Sequence, residues 1–290
     1  MSNTLLYVIA VAIWGSTWLA IEFQLGVVAP EVSIVYRYAL ASLTLFIWCK
    51  YKGLNLTFKA NNHLWFAALG LLLFSLNYIF AYRAQEHITS ALAAIAFSML
   101  LWMNIVLSRV VFGTRATPRV LVGAALGIVG IVVIFAPQVE FMSLGDSVFY
   151  GCVLSLTGAL TASCGNMVSQ AAQKRALPVM QANAWGMFYG ALITATIALA
   201  GGHEFTFDAT FTYIASLAYL ALFGSVIAFG AYLTLVGRIG AHRAGYAAVM
   251  WPVVALALSL AFEGLRLDAS IVIGTSFVLL GNLLVLKRGA

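Results

Sequence analysis

The chain has 290 residues, of which 63% are hydrophobic and only 8% are charged. Because a soluble domain carries about a quarter charged residues, this composition excludes a water-soluble fold and favours a protein embedded in lipid. The net charge of +6 does not indicate a nucleic-acid partner, because the fifteen Lys and Arg residues form no basic run or stripe.

Ten apolar segments follow one another along the chain, each close to the 20 or so residues that an α-helix needs to span a bilayer. In order, they cover residues 4–22, 31–50, 63–82, 88–111, 118–136, 147–170, 180–200, 210–235, 239–262 and 268–286. The connections between them are too short to hold a soluble domain. The sequence therefore predicts an all-α membrane protein with ten transmembrane helices.

The distribution of charge predicts how these helices are oriented. Twelve of the fifteen Lys and Arg residues lie in the even-numbered gaps between segments or at the C-terminus. The odd-numbered gaps contain only Arg83 and Arg266, and all nine acidic residues border those gaps. Because Lys and Arg concentrate on the cytoplasmic side of a membrane, we expect a multi-pass protein of the inner or plasma membrane with both termini in the cytoplasm.

An internal repeat relates residues 88–130 to residues 239–281 at an offset of 151 residues, with ten identities in 43 positions and no gap. Three of the identities are the glycine pairs Gly113/Gly264, Gly123/Gly274 and Gly130/Gly281. The offset pairs segments four and five with segments nine and ten, so each half holds five spans. An odd number of spans inverts the second half relative to the first, which predicts two inverted five-helix repeats, at 1–138 and 139–290.

Short motifs throughout the chain resemble the ten-helix EamA-type branch of the drug/metabolite transporter superfamily. They are Trp14-Gly15-Ser16, Arg37 after Pro30, Asn77-Tyr78, Ile88-Thr89-Ser90-Ala91-Leu92, Phe112-Gly113, Ala244-Gly245, Met250-Trp251-Pro252 and Glu263-Gly264. Two positions depart from the family pattern, since Thr114 replaces the glutamate of a Gly-Glu pair and Leu101 replaces a proline of the fourth helix. The resemblance implies a secondary transporter that exports amino acids or small metabolites through a central cavity lined by helices one, three, four, six, eight and nine.

Polar and aromatic residues on these six helices are the candidate substrate-binding residues, because a transport site in lipid needs polar groups that face the interior of the bundle. The candidates are Trp14, Thr17, Trp18, Asn77, Tyr78, Ser98, Trp102, Asn166, Ser225, Tyr232, Tyr246 and Trp251. Helix–helix packing through the Ser and Asn side chains, and an interfacial position for Trp18, are the alternatives. A cavity of aromatic rings with scattered amide and hydroxyl groups would suit amphipathic zwitterions or planar organic molecules.

Two further residues stand out within the predicted spans. Arg37 is the only base deep in a span, and a buried base needs a partner, for which Glu22 and Glu31 are the candidates. The alternatives are snorkelling to the outer interface and contact with a substrate carboxylate. Pro252 lies in the middle of the ninth segment, where it removes a backbone hydrogen bond and forms either a gating hinge or a packing bend.

Several kinds of chemistry are not indicated by the sequence. No Asp or Glu lies near the middle of a span, so we expect movement driven by the substrate gradient without a dedicated proton site. The spans contain no HExxH, GxSxG or paired aspartates, so no catalytic residues and no enzyme activity are expected. The three cysteines are widely spaced in apolar stretches, and we expect no metal site and no cofactor.

The expected partners are a small-molecule substrate and the lipid bilayer, and the protein is expected to be a monomer or a weak homodimer. Two alternatives to amino-acid export stay open. One is a transporter for broad drug or cation efflux, and the other is a passive channel.

Overall fold

The computed structural model describes residues 1–140, 146–262 and 269–286, and these residues form ten helical spans. They are α1 (Asn3–Glu22), α2 (Pro30–Tyr51), α3 (Ala60–Gln85), α4 in two pieces (Ser90–Phe97 and Leu100–Phe112), α5 (Pro118–Glu140), α6 (Asp146–Lys174), α7 (Val179–Ala200), α8 (Phe211–Ile239), α9 in two pieces (Ala241–Ala244 and Ala247–Phe262) and α10 (Ala269–Leu286). Their order and positions confirm the predicted all-α architecture of ten helices.

The exterior of the bundle is apolar, as a lipid environment requires. Seven helices among the described residues, α1 to α4 and α6 to α8, are long and apolar enough to cross a membrane. Large aliphatic side chains such as Val110, Leu199 and Leu283 point outward with at least 66% of their surface exposed. A helix closes its backbone hydrogen bonds within the segment, which a span requires because lipid offers the backbone no partner.

Glycine residues bring α5 and α10 into close contact. An ideal Cβ added to Gly130 would lie 2.5 Å from the carbonyl oxygen of Gly274, and one added to Gly281 would lie 2.5 Å from that of Gly123. At the 151-residue offset, Gly123 corresponds to Gly274 and Gly130 corresponds to Gly281. Gly130 therefore contacts the counterpart of Gly123, and Gly123 contacts the counterpart of Gly130. This reciprocity is the contact pattern of two elements related by a two-fold axis.

Two of the helices change their winding at matching positions. A π-helical stretch interrupts α3 at Leu72–Leu76, and another interrupts α8 at Leu220–Ile227. The 151-residue offset carries 72–76 onto 223–227, so the two stretches overlap in the two halves of the chain. Such stretches are often found at functional sites, because the extra residue per turn redirects the side chains that follow.

Two other helices are discontinuous. α4 is interrupted at Ser98–Met99 and α9 at Gly245–Tyr246, whereas the second piece of α9 runs without a break through Pro252. Discontinuous spans in secondary transporters line the substrate site. The interruption of α9 thus precedes Pro252, and the role of this proline as a hinge stays a prediction.

Candidate functional site

A cavity lies at the centre of the bundle between α1, α3, α4, α6, α8 and α9, the six helices that the resemblance implied. Its lining residues are Trp14, Thr17, Trp18, Ile21, Leu73, Asn77, Tyr78, Ala81, Phe97, Leu100, Ala162, Asn166, Phe229, Tyr232 and Trp251. The cavity has a volume of about 50 Å³, which holds a few water molecules. A larger organic solute therefore enters only if the helices move apart.

Eight of the twelve candidate residues line this cavity. They are Trp14, Thr17, Trp18, Asn77, Tyr78, Asn166, Tyr232 and Trp251. The candidate set omitted Phe97 and Phe229, which also line it. Phe229 lies three residues before Tyr232 on the same helical face, so helical spacing is the signal that could have identified it.

Aromatic rings form one continuous side of the cavity around Trp14. Its ring packs edge-to-face on Phe229, Tyr232 and Trp251, with centroid distances of 4.8, 5.0 and 5.4 Å. The indole Nε1 donates a hydrogen bond of 3.0 Å to the carbonyl oxygen of Gly224, which fixes the ring orientation. Edge-to-face packing restricts each ring, so these residues present a rigid apolar surface.

Three of the residues that line the cavity carry a buried polar atom with no partner in the described part of the chain. The Nδ2 of Asn166 donates to the hydroxyl of Tyr232 at 3.1 Å, and the Nδ2 of Asn77 donates to a carbonyl one turn earlier at 3.3 Å. The Oδ1 atoms of both asparagines, and the indole Nε1 of Trp251, have no hydrogen-bond partner among the described residues. Buried polar atoms are nearly always paired, so these two acceptors and one donor need a partner that the described residues do not supply.

The two remaining candidates on α4 lie outside the cavity lining. The Ser98 hydroxyl donates to the carbonyl of Ile95 at 2.6 Å, where the helix is interrupted. Trp102 is half-buried and packs against the hydrophobic core. Leu100, the first residue after the interruption, still lines the cavity together with Phe97.

Tyr246 and Ser225 also lie outside the lining. The hydroxyl of Tyr246 donates to the carbonyl of Val278 on α10 at 2.9 Å, so this residue joins α9 to α10. The hydroxyl of Ser225 donates to the carbonyl of Leu220, five residues earlier in the π-helical stretch, and accepts a hydrogen bond from Arg37. Both side chains thus bond to groups of the protein.

Arg37 is fully buried and has no carboxylate partner among the described residues. Glu22 is exposed at the end of α1, and Glu31 accepts two hydrogen bonds from Arg83, at 3.0 and 2.9 Å. The structure therefore pairs Arg37 with neither predicted acid. The reason is axial distance, because six residues of helix place Arg37 about 9 Å beyond Glu31.

The guanidinium of Arg37 is held by tyrosine rings and one hydroxyl. Its carbon lies 4.4 Å from the ring centroid of Tyr78 and 5.4 Å from that of Tyr38. Nε donates to Ser225 Oγ at 2.9 Å and Nη2 to the Tyr78 hydroxyl at 3.4 Å. The Tyr82 hydroxyl also lies near the guanidinium, and Nη1 forms no well-aligned hydrogen bond with a described residue. Tyr78 contacts both this guanidinium and the cavity.

Comparison with known proteins connects this architecture with membrane transport. Residues 1–136 and 149–287 each match the model of the EamA-like transporter family. The chain is 26% identical to the "Uncharacterized inner membrane transporter YedA" of Escherichia coli K12, over 87% of this chain and 80% of the relative. It is 24% identical to the "Probable amino-acid metabolite efflux pump" of the same organism, over 95% and 92%. One solved crystal structure has the same fold, with a TM-score of 0.80 at 17% identity, covering 98% of this chain and 96% of its own.

Proposed function

Because the chain belongs to the EamA-like transporter family and is a multi-pass membrane transporter, we propose that it exports amino acids by alternating access through the central cavity. The observation that carries this proposal is that the residues lining one cavity combine packed aromatic rings with unpaired amide oxygens. The efflux-pump name belongs to a relative, and it supports the same substrate class.

The chemistry of an α-amino acid matches these features. The Oδ1 atoms of Asn77 and Asn166 accept hydrogen bonds from an ammonium group, whose three N–H donors need such acceptors away from water. The rings around Trp14 pack against an apolar side chain, and their faces also attract the ammonium charge. The amides are neutral and a zwitterion has no net charge, so binding of the substrate leaves the net charge of the site unchanged.

The driving force is proposed to be the substrate gradient. None of the lining residues is an acid or a histidine, so no side chain on this surface takes up a proton near neutral pH. Proton-driven transporters commonly place such a group within the spans. The proposed orientation places both termini in the cytoplasm, with the Glu31–Arg83 ion pair at the outer end.

A counterflow assay in proteoliposomes tests this function. Phenylalanine, leucine, uridine and ethidium are compared as internal and external solutes, and saturable exchange of the amino acids is expected. Exchange of ethidium without amino acids would indicate cation efflux instead, and flux that never saturates would indicate a channel. Accumulation driven by an imposed pH gradient would reject the absence of proton coupling.

Asn77→Ala provides the matched test of the site. The loss of one acceptor for a charged donor raises the half-saturation concentration about 10- to 100-fold. Asn61→Ala, on the exposed surface of the same helix, is the control and is expected to behave as wild type. Equal behaviour of the two variants would show that the amide of Asn77 does not contact the substrate.

A further inference from the structure

Arg37 carries a buried positive charge that no carboxylate among the described residues neutralises. Among those residues, the acid nearest to it along α2, Glu31, already forms an ion pair with Arg83. The rings of Tyr38 and Tyr78 and the hydroxyl of Ser225 stabilise the guanidinium in part. A charged group within a bilayer is costly and normally has a partner or marks a ligand pathway. Nη1 forms no well-aligned hydrogen bond with a described residue, although the Tyr82 hydroxyl lies near the guanidinium, so the protein leaves part of the donor capacity of Arg37 unused.

The guanidinium lies one side chain behind the surface of the cavity. Thr17 and Tyr78 line the cavity, and the Tyr78 hydroxyl is 3.4 Å from Nη2 of Arg37. Gly224 lies between Thr17 and Arg37, because an ideal Cβ on this glycine would lie 3.0 Å from Cγ2 of Thr17 and 3.2 Å from Nη2 of Arg37. No side chain of residue 224 therefore separates the guanidinium from Thr17. A separation of 3.4 Å is a long hydrogen bond, which a stronger acceptor displaces at little cost.

We propose that Arg37 binds the carboxylate of the substrate, after the Tyr78 hydroxyl has moved away from Nη2. The two oxygens of a carboxylate accept from Nη1 and Nη2 in the parallel geometry that a guanidinium provides. Ser225 is a positioning residue, because its bond to Nε holds the plane of the guanidinium. The ligand class is a carboxylate with an apolar or aromatic body, and cationic solutes without a carboxylate are repelled. This inference rests on the proposed function, since it assigns a subsite of the same cavity.

Three matched probes separate the carboxylate from the rest of the ligand. They are phenylalanine, 3-phenylpropionate, which lacks the ammonium group, and phenethylamine, which lacks the carboxylate. Melting of the purified full-length protein is measured against the concentration of each probe, and counterflow is measured in parallel. Arg37→Gln removes the charge, and Arg109→Gln, at an exposed arginine of α4, is the control. Chloride alone is tested as a simple inorganic anion that has no carboxylate.

We expect Arg37→Gln to raise the half-maximal concentrations of phenylalanine and 3-phenylpropionate about 10- to 100-fold. The response to phenethylamine stays weak in wild type and does not fall in this variant. Arg37→Lys keeps the charge but not the planar fork, so it retains the fold and shows an intermediate loss for the two carboxylates. If Arg37→Gln does not fold, the half-maximal concentrations of the three probes in Arg37→Lys, relative to those in wild type, decide the question.

Three results would overturn the inference. One is an equal loss of affinity for all three probes in Arg37→Gln. Another is binding of phenethylamine to wild type that is as tight as that of phenylalanine. The third is a melting shift that depends on Arg37 with chloride but not with a carboxylate.

Failure of the proposed function gives a different result. Binding of 3-phenylpropionate that depends on Arg37, without amino-acid counterflow, rejects the amino-acid substrate and supports the subsite. If amino-acid counterflow occurs and the half-maximal concentrations of the three probes in both Arg37 variants equal those of wild type, the subsite is rejected and the function is retained.

Discussion

The close approach of α5 and α10 predicts that a single methyl group at Gly130 destabilises the protein. An ideal Cβ there would lie 2.5 Å from the Gly274 carbonyl oxygen, 2.8 Å from Cγ2 of Val278 and 2.9 Å from its backbone nitrogen. A relaxed carbon–oxygen contact is about 3.4 Å, so the helices must separate by about 1 Å. Two of the three neighbours are backbone atoms that cannot rotate away. We therefore expect Gly130→Ala to cost about 2–3 kcal/mol, in the upper half of the range for overpacking.

The measurement is the midpoint of thermal unfolding in detergent, which should fall by about 5–10 °C for a chain of this size. Gly230→Ala on α8 is the matched control, because the nearest atom to its added Cβ would be Met180 Sδ at 3.5 Å, an ordinary contact. Alanine has the higher helix propensity, so this control should melt at or above the wild-type temperature. Neither α5 nor α10 lines the cavity, so the substrate profile of Gly130→Ala should match that of wild type. Equal melting of the two variants would refute the reasoning.

Two further predictions concern the outer ion pair and the cavity surface. Glu31 has a side chain only 6% exposed where it binds Arg83, whereas Glu86, on the same arginine, is 33% exposed. Glu31→Gln should therefore lower stability by about 1–2 kcal/mol and Glu86→Gln by less than about 1 kcal/mol in thermal unfolding, and the reverse order would contradict this account. Trp251→Ala removes a ring from the cavity and should raise the half-saturation concentration in counterflow by about tenfold or more, whereas Trp102→Ala should change it by about twofold or less. A larger effect of Trp102→Ala would place the substrate elsewhere.

The family resemblance implied the helices that form the cavity, and residue patterns predicted the individual side chains that line it less well. Asn77 and Asn166 were identifiable because amides are rare in apolar helices, and both line the cavity. Ser98 and Tyr246 have the same polar character, yet their hydroxyls bond to main-chain carbonyls. Regular spacing assigns residues to one face only where a helix is regular. Both residues lie at helix interruptions, so their orientation could not be predicted from spacing.

The ten spans and the 151-residue repeat were determined by the sequence itself, because hydropathy and glycine positions are properties of each residue and its neighbours. Only the tertiary structure decided the environment of Arg37. Sequence proximity favoured Glu22 and Glu31, but the hydrogen-bond partner of Nε is Ser225, 188 residues away. That contact depends on how α2 and α8 are rotated against each other and on the π-helical stretch that carries Ser225. The packing of the whole bundle sets these two quantities, and no local pattern of residues encodes them.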